Sequence, residues 1–121
     1  MTKCIDGPTL IAYSRRMKFR ETSYFTRWVK DALTDDDYRE LRDELTRNPL
    51  AGDVIRGGGG IRKIRIALAG KGKRGGARAI YYYAVQHTTI LFLYAYEKAS
   101  QGDVEPDQLK FLRRIVKEEF P

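Results

Sequence analysis

One cysteine, one histidine and one tryptophan are all that the 121-residue chain holds of those three types. A lone Cys4 cannot build an internal disulfide framework, which fits a reducing compartment and leads to the expectation of a cytoplasmic protein. Cys4 and His87 cannot make a zinc site without carboxylates, and no metal or other cofactor is expected. The longest apolar runs, Ala79–Val85 and Ile90–Tyr96, are far too short to span a bilayer. The N-terminus has no extended apolar segment of the signal-peptide kind, so no membrane partner is expected. The most telling absence is of negative charge. Between Val54 and Tyr96 there is no Asp or Glu, against eight cations: Arg56, Arg62, Lys63, Arg65, Lys71, Lys73, Arg74 and Arg78.

The whole chain carries 23 Lys and Arg against 16 Asp and Glu, for a net charge of +7. The residues outside that stretch are close to neutral, so the excess positive charge sits in one segment. A protein that handles a polyanion distributes charge in this way. The length allows one domain with a modest core, and the apolar fraction argues against disorder.

Residues 1–16 are hard to place. Gly7-Pro8 signals a turn, and Met17 opens the first clear strand, Met17–Glu21, so residues 1–16 are expected to be an upstream extension of a domain spanning 17–121. From Thr22 the period changes: Phe25, Trp28, Val29, Ala32 and Leu33 mark one face of a helix. Thr34 then caps a second helix whose first turn holds Asp35, Asp36 and Asp37, where the helix dipole favours anions. A partner-binding patch is the alternative use of those aspartates. Tyr38, Leu41 and Leu45 supply its buried face, and Asn48-Pro49 ends it.

Nine of the eleven glycines lie between Gly52 and Gly76. Gly57–Gly60 reads as a flexible entry to a strand, with a phosphate cradle as the alternative. Three strands follow, roughly Ile61–Leu68, Ala77–Val85 and Thr89–Tyr96. A final helix opens at Pro106, with Leu109, Leu112, Val116 and Phe120 as its apolar stripe. The order β-α-α-β-β-β-α predicts an α+β fold: a small antiparallel sheet of about four strands packed with two N-terminal helices and one C-terminal helix.

The run Gly70-Lys71-Gly72-Lys73-Arg74-Gly75 matches a GxGxxG dinucleotide fingerprint in letters alone. That fingerprint needs a helix after it, and here a strand follows. Its three cations fit phosphate-backbone contact or, equally, a solvated hairpin tip. Alternation puts Ile64, Ile66 and Leu68 on one face of their strand and Lys63 and Arg65 on the other. Whether Arg78 joins those two depends on the register, which sequence leaves open. Of Tyr81, Tyr82 and Tyr83 most are expected in the core, while one tyrosine facing the cations, or Tyr94 or Tyr96, can stack on a base.

Three blocks carry a family likeness: Gly52-Asp53-Val54-Ile55, Gly59-Gly60-Ile61-Arg62-Lys63-Ile64-Arg65, and Gly72-Lys73-Arg74-Gly75-Gly76-Ala77-Arg78-Ala79-Ile80-Tyr81-Tyr82. Together they resemble the HigB-like branch of the RelE/ParE toxins. Tyr96-Glu97-Lys98 with Asp103-Val104 is similar to that branch's closing Tyr-x-Lys…Asp-Leu pattern. The likeness covers about residues 17–119 and leaves 1–16 outside. It implies a RelE-like microbial RNase fold and a toxin of a type II toxin–antitoxin system. The implied activity is that of a metal-independent, ribosome-dependent mRNA endonuclease that inhibits translation. Its implied partners are the ribosome, mRNA and a cognate antitoxin, HigA-like with a helix-turn-helix DNA-binding domain.

By matching position, the resemblance implies a catalytic set of Lys63, Arg65, Arg78 and Lys98. Arg62, Lys71, Lys73, Arg74, Tyr82 and Tyr96 are the expected contacts to RNA or ribosome. The family reaction, attack of a ribose 2′-hydroxyl on the adjacent phosphodiester, needs a base, charge stabilisation and a proton for the leaving oxygen. Lys63 among Arg65 and Arg78 suits the base, the two arginines suit the phosphorane, and Lys98 or a tyrosine suits the acid. The chain departs from better-known members in having no arginine and no obvious catalytic tyrosine just after the last strand. Two rivals remain: a same-fold toxin that poisons a protein such as DNA gyrase, and a non-enzymatic nucleic-acid-binding module.

Overall fold

Two threonines decide where the first helices begin. The Thr22 hydroxyl accepts the backbone N–H of Phe25 at 3.2 Å while donating to the Leu93 carbonyl at 2.7 Å, so one side chain both caps a helix and ties it to a strand. Thr34 and Asp37 form a reciprocal capping box. The computed structural model describes residues 17–68 and 72–121, apart from the side chains of 72–75. Its elements are β1 (Lys18–Glu21), α1 (Ser23–Ala32), α2 (Asp35–Arg47), β2 (Asp53–Val54), β3 (Ile61–Leu68), β4 (Gly72–Ala84), β5 (Thr89–Glu97) and α3 (Pro106–Glu119). A 3-10 turn, Val85–His87, joins β4 to β5. The expected extension, residues 1–16, lies outside the described residues.

The α+β class and the three helices are as the sequence predicts. The sheet is richer than expected: five strands in the order β1-β5-β4-β3-β2. It is mixed rather than wholly antiparallel, because β1 runs parallel to β5 with Lys18 beside Thr89 and Glu21 beside Phe92. The added strand, β2, is two residues long and pairs Asp53 with Lys63. So short an element has no periodicity to read. β4 also starts five residues before the predicted Ala77, which shortens the expected glycine-rich loop.

The sheet is packed on both faces. On one, α1 and α2 bury Phe25, Leu41 and Leu45 against Ile64, Ile66, Ala79, Tyr81, Ile90 and Phe92. The Phe25 and Phe92 rings stack with centroids 4.5 Å apart. On the other, α3 lays Leu112, Ile115 and Val116 over Ile61, Ile80, Leu91 and Leu93. The far end of α3 is held where Arg20 pairs with Glu119 and lies over the Phe120 ring. Tyr81 closes the sheet edge: its hydroxyl donates to the Pro49 carbonyl at 2.8 Å and accepts the Gly52 N–H at 2.9 Å. That approach requires glycine, since a Cβ at Gly52 would stand 2.7 Å from the Lys63 carbonyl oxygen.

Candidate active site

Register decides which cations meet. Arg65 of β3 stands directly opposite Arg78 of β4, and Arg78 directly opposite Tyr96 of β5. One step along, Lys63 faces Ile80. Alternation on β3 and β4 therefore brings Lys63, Arg65, Arg78 and Tyr96 onto one face, the face that α3 crosses. α3 covers the Ile61–Leu91–Leu93 part of that face and leaves the Arg65–Arg78 row uncovered, with Arg65 exposed and Arg78 half-buried.

The electrostatics of the row are unusual for a scaffold. Like charges directly opposite on neighbouring strands are destabilising, and a surface lacking any other task is relieved of them by an interleaved carboxylate. Among the described residues, neither Arg65 nor Arg78 has an ion-pair partner. Among the described residues, the Arg78 guanidinium donates only to the neighbouring Ala77 carbonyl, at 3.3 Å. Two guanidiniums with free N–H edges on a half-open surface are ready to hold a phosphate in bidentate fashion.

Lys63 differs from the arginines. Its ammonium donates to Asp103 Oδ1 at 3.0 Å, and the same oxygen accepts the Val104 N–H at 2.8 Å. Lys63 is thus not surrounded by cations alone, as the sequence had implied, because the chain before α3 returns an acid to it. The Lys63 hydrogen bond, followed by the Val104 N–H, holds the Asp103 carboxyl below its ordinary range. Sequence reasoning quoted Asp103 only as part of a closing pattern and gave it no role. Its position 40 residues from Lys63 carries no local signal.

Tyr96 sits beside these groups and is 4% exposed, with its hydroxyl buried and unpartnered. Burial raises the phenol above its ordinary range, the nearby Asp103 charge adds to the rise, and Arg78 opposes it. A network behind it secures the loop: Gln101 donates to the Asp103 carbonyl at 2.7 Å and to Gln108 at 2.6 Å, while Gln108 donates to the Tyr94 hydroxyl at 3.3 Å.

The other expected site residues fall elsewhere. Arg62 points to the opposite face and donates to the Gly52 carbonyl at 2.8 Å and the Leu50 carbonyl at 3.3 Å, where it holds the loop before β2. Tyr82 shares the cation face but lies four residues along β4 from Arg78, about 13 Å at strand rise, with its ring against Phe120 at 5.9 Å. Lys98 is exposed on the turn that follows β5, two residues beyond Tyr96. Lys71 lies outside the described residues, as do the side chains of Lys73 and Arg74. Among the described residues, no group of three or more His, Cys, Asp or Glu side chains comes together to hold a metal ion. No described helix is long and apolar enough to cross a membrane.

The free-state structure of a double arginine-to-alanine mutant of E. coli toxin RelE is similar at a TM-score of 0.49 and 15% identity, over 69% of this chain and 85% of that one. The sequence profile described as "RelE toxin of RelE / RelB toxin-antitoxin system" matches residues 17–120, most of the chain. The chain belongs to the RelE toxin family, the toxin side of a type II toxin–antitoxin pair, and a cognate antitoxin is its implied partner.

Proposed function

We propose that the chain is a ribosome-dependent mRNA endonuclease of the HigB-like branch, acting without a metal through attack of a ribose 2′-hydroxyl on the adjacent phosphodiester. The observation that carries this reading is the Arg65–Arg78 pair, set directly across two strands on the face beyond α3, neither arginine holding an ion pair among the described residues. A developing phosphorane dianion needs such preorganised positive charge, which acts more strongly at a half-buried surface than in bulk water. Lys63 is assigned to the attacking hydroxyl: its ammonium first releases a proton to solvent, and the neutral amine, turned from Asp103, then takes the proton of the 2′-hydroxyl. Lys98, just past the strand, is assigned to the RNA backbone. The ribosome supplies what so small a face lacks, a splayed and oriented substrate, and the net charge of +7 favours docking into an RNA-lined cavity. The proposed partner in the cytoplasm is a HigA-like antitoxin with a helix-turn-helix domain.

Primer extension on a defined mRNA in a reconstituted translation system tests this, with and without ribosomes, for wild type and Arg78→Ala. Ribosome-dependent cuts that vanish in the variant are expected. No cuts in any lane would overturn the reading, and inhibition of gyrase supercoiling in their place would select the protein-poisoning toxin.

A further inference from the structure

The cation face stabilises charge, but the reaction also needs a proton for the departing 5′-oxygen. The described residues contain one buried side-chain polar atom with no hydrogen-bond partner, and it is the Tyr96 hydroxyl. A buried hydroxyl left unpaired costs stability that a phenylalanine would not, so its presence calls for a use. The other internal tyrosines show how readily this chain pairs a phenol. Tyr81 makes two hydrogen bonds to backbone, and Tyr94 is bonded to Gln101 and Gln108.

We infer that Tyr96 is the proton donor to the leaving 5′-oxygen, its hydroxyl directed to the phosphate held by Arg65 and Arg78. This rests on the endonuclease reading above. The groups around it are Arg78 across the strand, Tyr94, Asp103 and, through Asp103, Lys63. Burial and the Asp103 charge keep the phenol protonated at neutral pH. The Lys63 and Asp103 side chains beside it are 30% and 64% exposed, and a phosphate competes with Asp103 for the same ammonium.

In the step, the 2′-oxygen forms a bond to phosphorus as the P–O5′ bond breaks, leaving a 2′,3′-cyclic phosphate and a 5′-hydroxyl. The 2′-hydroxyl proton passes to the neutral amine of Lys63, which had released a proton to solvent, the phenol proton passes to the 5′-oxygen, and the phenolate regains a proton from solvent. Lys98 is less suited to this donation: it is exposed beyond the strand, and its backbone N–H donates to the Gly76 carbonyl while no side-chain hydrogen bond or ion pair among the described residues fixes its ammonium.

The test compares wild type and Tyr96→Phe on ribosome-bound mRNA carrying, at the cut position, either the natural linkage or a bridging 5′-thio linkage. A thiolate leaves without being protonated. The variant is expected to cut the natural linkage roughly 100-fold more slowly and the thio linkage within a few-fold of wild type, with its melting temperature unchanged or raised. Equal rates on the natural linkage would overturn the assignment, as would an equal slowing on both linkages, which would mark a packing or binding role. If the wild type cuts neither substrate, the endonuclease reading itself fails.

Discussion

The two faces of the sheet are made by the same strands and obey opposite rules. Under α1 and α2 rings stack and the buried Tyr81 hydroxyl is paired, from the Phe25–Phe92 stack to the two hydrogen bonds of Tyr81. Under α3 the apolar packing covers the Ile61–Leu91–Leu93 part and then stops. Beyond it, among the described residues, Arg65 and Arg78 oppose each other with no ion pair, and Tyr96 carries a buried hydroxyl with no partner. A closed face is what stability alone produces. A face that tolerates like-charge repulsion and an unsatisfied phenol gives up stability for something else.

Breaking the closed face has the largest effect. Phe25→Ala removes a fully buried ring from the stack and is expected to cost about 3–5 kcal/mol of unfolding free energy. A urea melt checks it; a loss below about 1 kcal/mol would show that the helix layer is not the core it resembles. On the open face the effects should reverse. Arg78→Ala is expected to lower ribosome-dependent cleavage by at least roughly 100-fold while shifting stability by no more than about 0.5 kcal/mol. An active variant would remove Arg78 from the site.

Two tyrosines sharpen the comparison further. Tyr81→Phe strands the Gly52 N–H and the Pro49 carbonyl, and should cost about 1–3 kcal/mol with cleavage intact under folding conditions. Tyr96→Phe, which strands nothing, should do the opposite. If both variants melt alike, the distinction between the faces is lost.

The smallest effect concerns acid. The Asp103 carboxyl is held low by Lys63 and the Val104 N–H, so its pair contributes stability that is complete above the unfolded carboxyl value, about 4. That contribution is lost as pH falls through the lower folded value. Because the Asp103 carboxyl is largely exposed, the gain is slight and screened by salt. A carboxyl NMR titration should show the Asp103 midpoint rising toward the ordinary range in Lys63→Met; an unmoved midpoint would mean that Lys63 is not its partner in solution.

Much of this is written locally in the chain. Thr22 and Thr34 mark helix starts because a hydroxyl satisfies free N–H groups within three residues. Pro106 opens α3 because its ring fits a first turn and lacks the N–H that would go unpaired. Ile64, Ile66 and Leu68 alternate with Lys63 and Arg65 because a strand has period two. Arg62 shows where such reading ends. It sits in the same cationic run as Lys63, and only one step of the pleat sends it to the opposite face and the Gly52 carbonyl.

The sequence by itself determined the helices and their caps, the inner and outer sides of β3, and the concentration of positive charge in one segment, since each depends on neighbours a few residues away. Tertiary structure alone decided that Arg65 meets Arg78, that β1 lies parallel to β5, that Asp103 returns to Lys63, and that Tyr81 is paired while Tyr96 is not. Those outcomes rest on register and on contacts between segments tens of residues apart. A one-residue slip, invisible in composition, would have put Arg78 on the closed face.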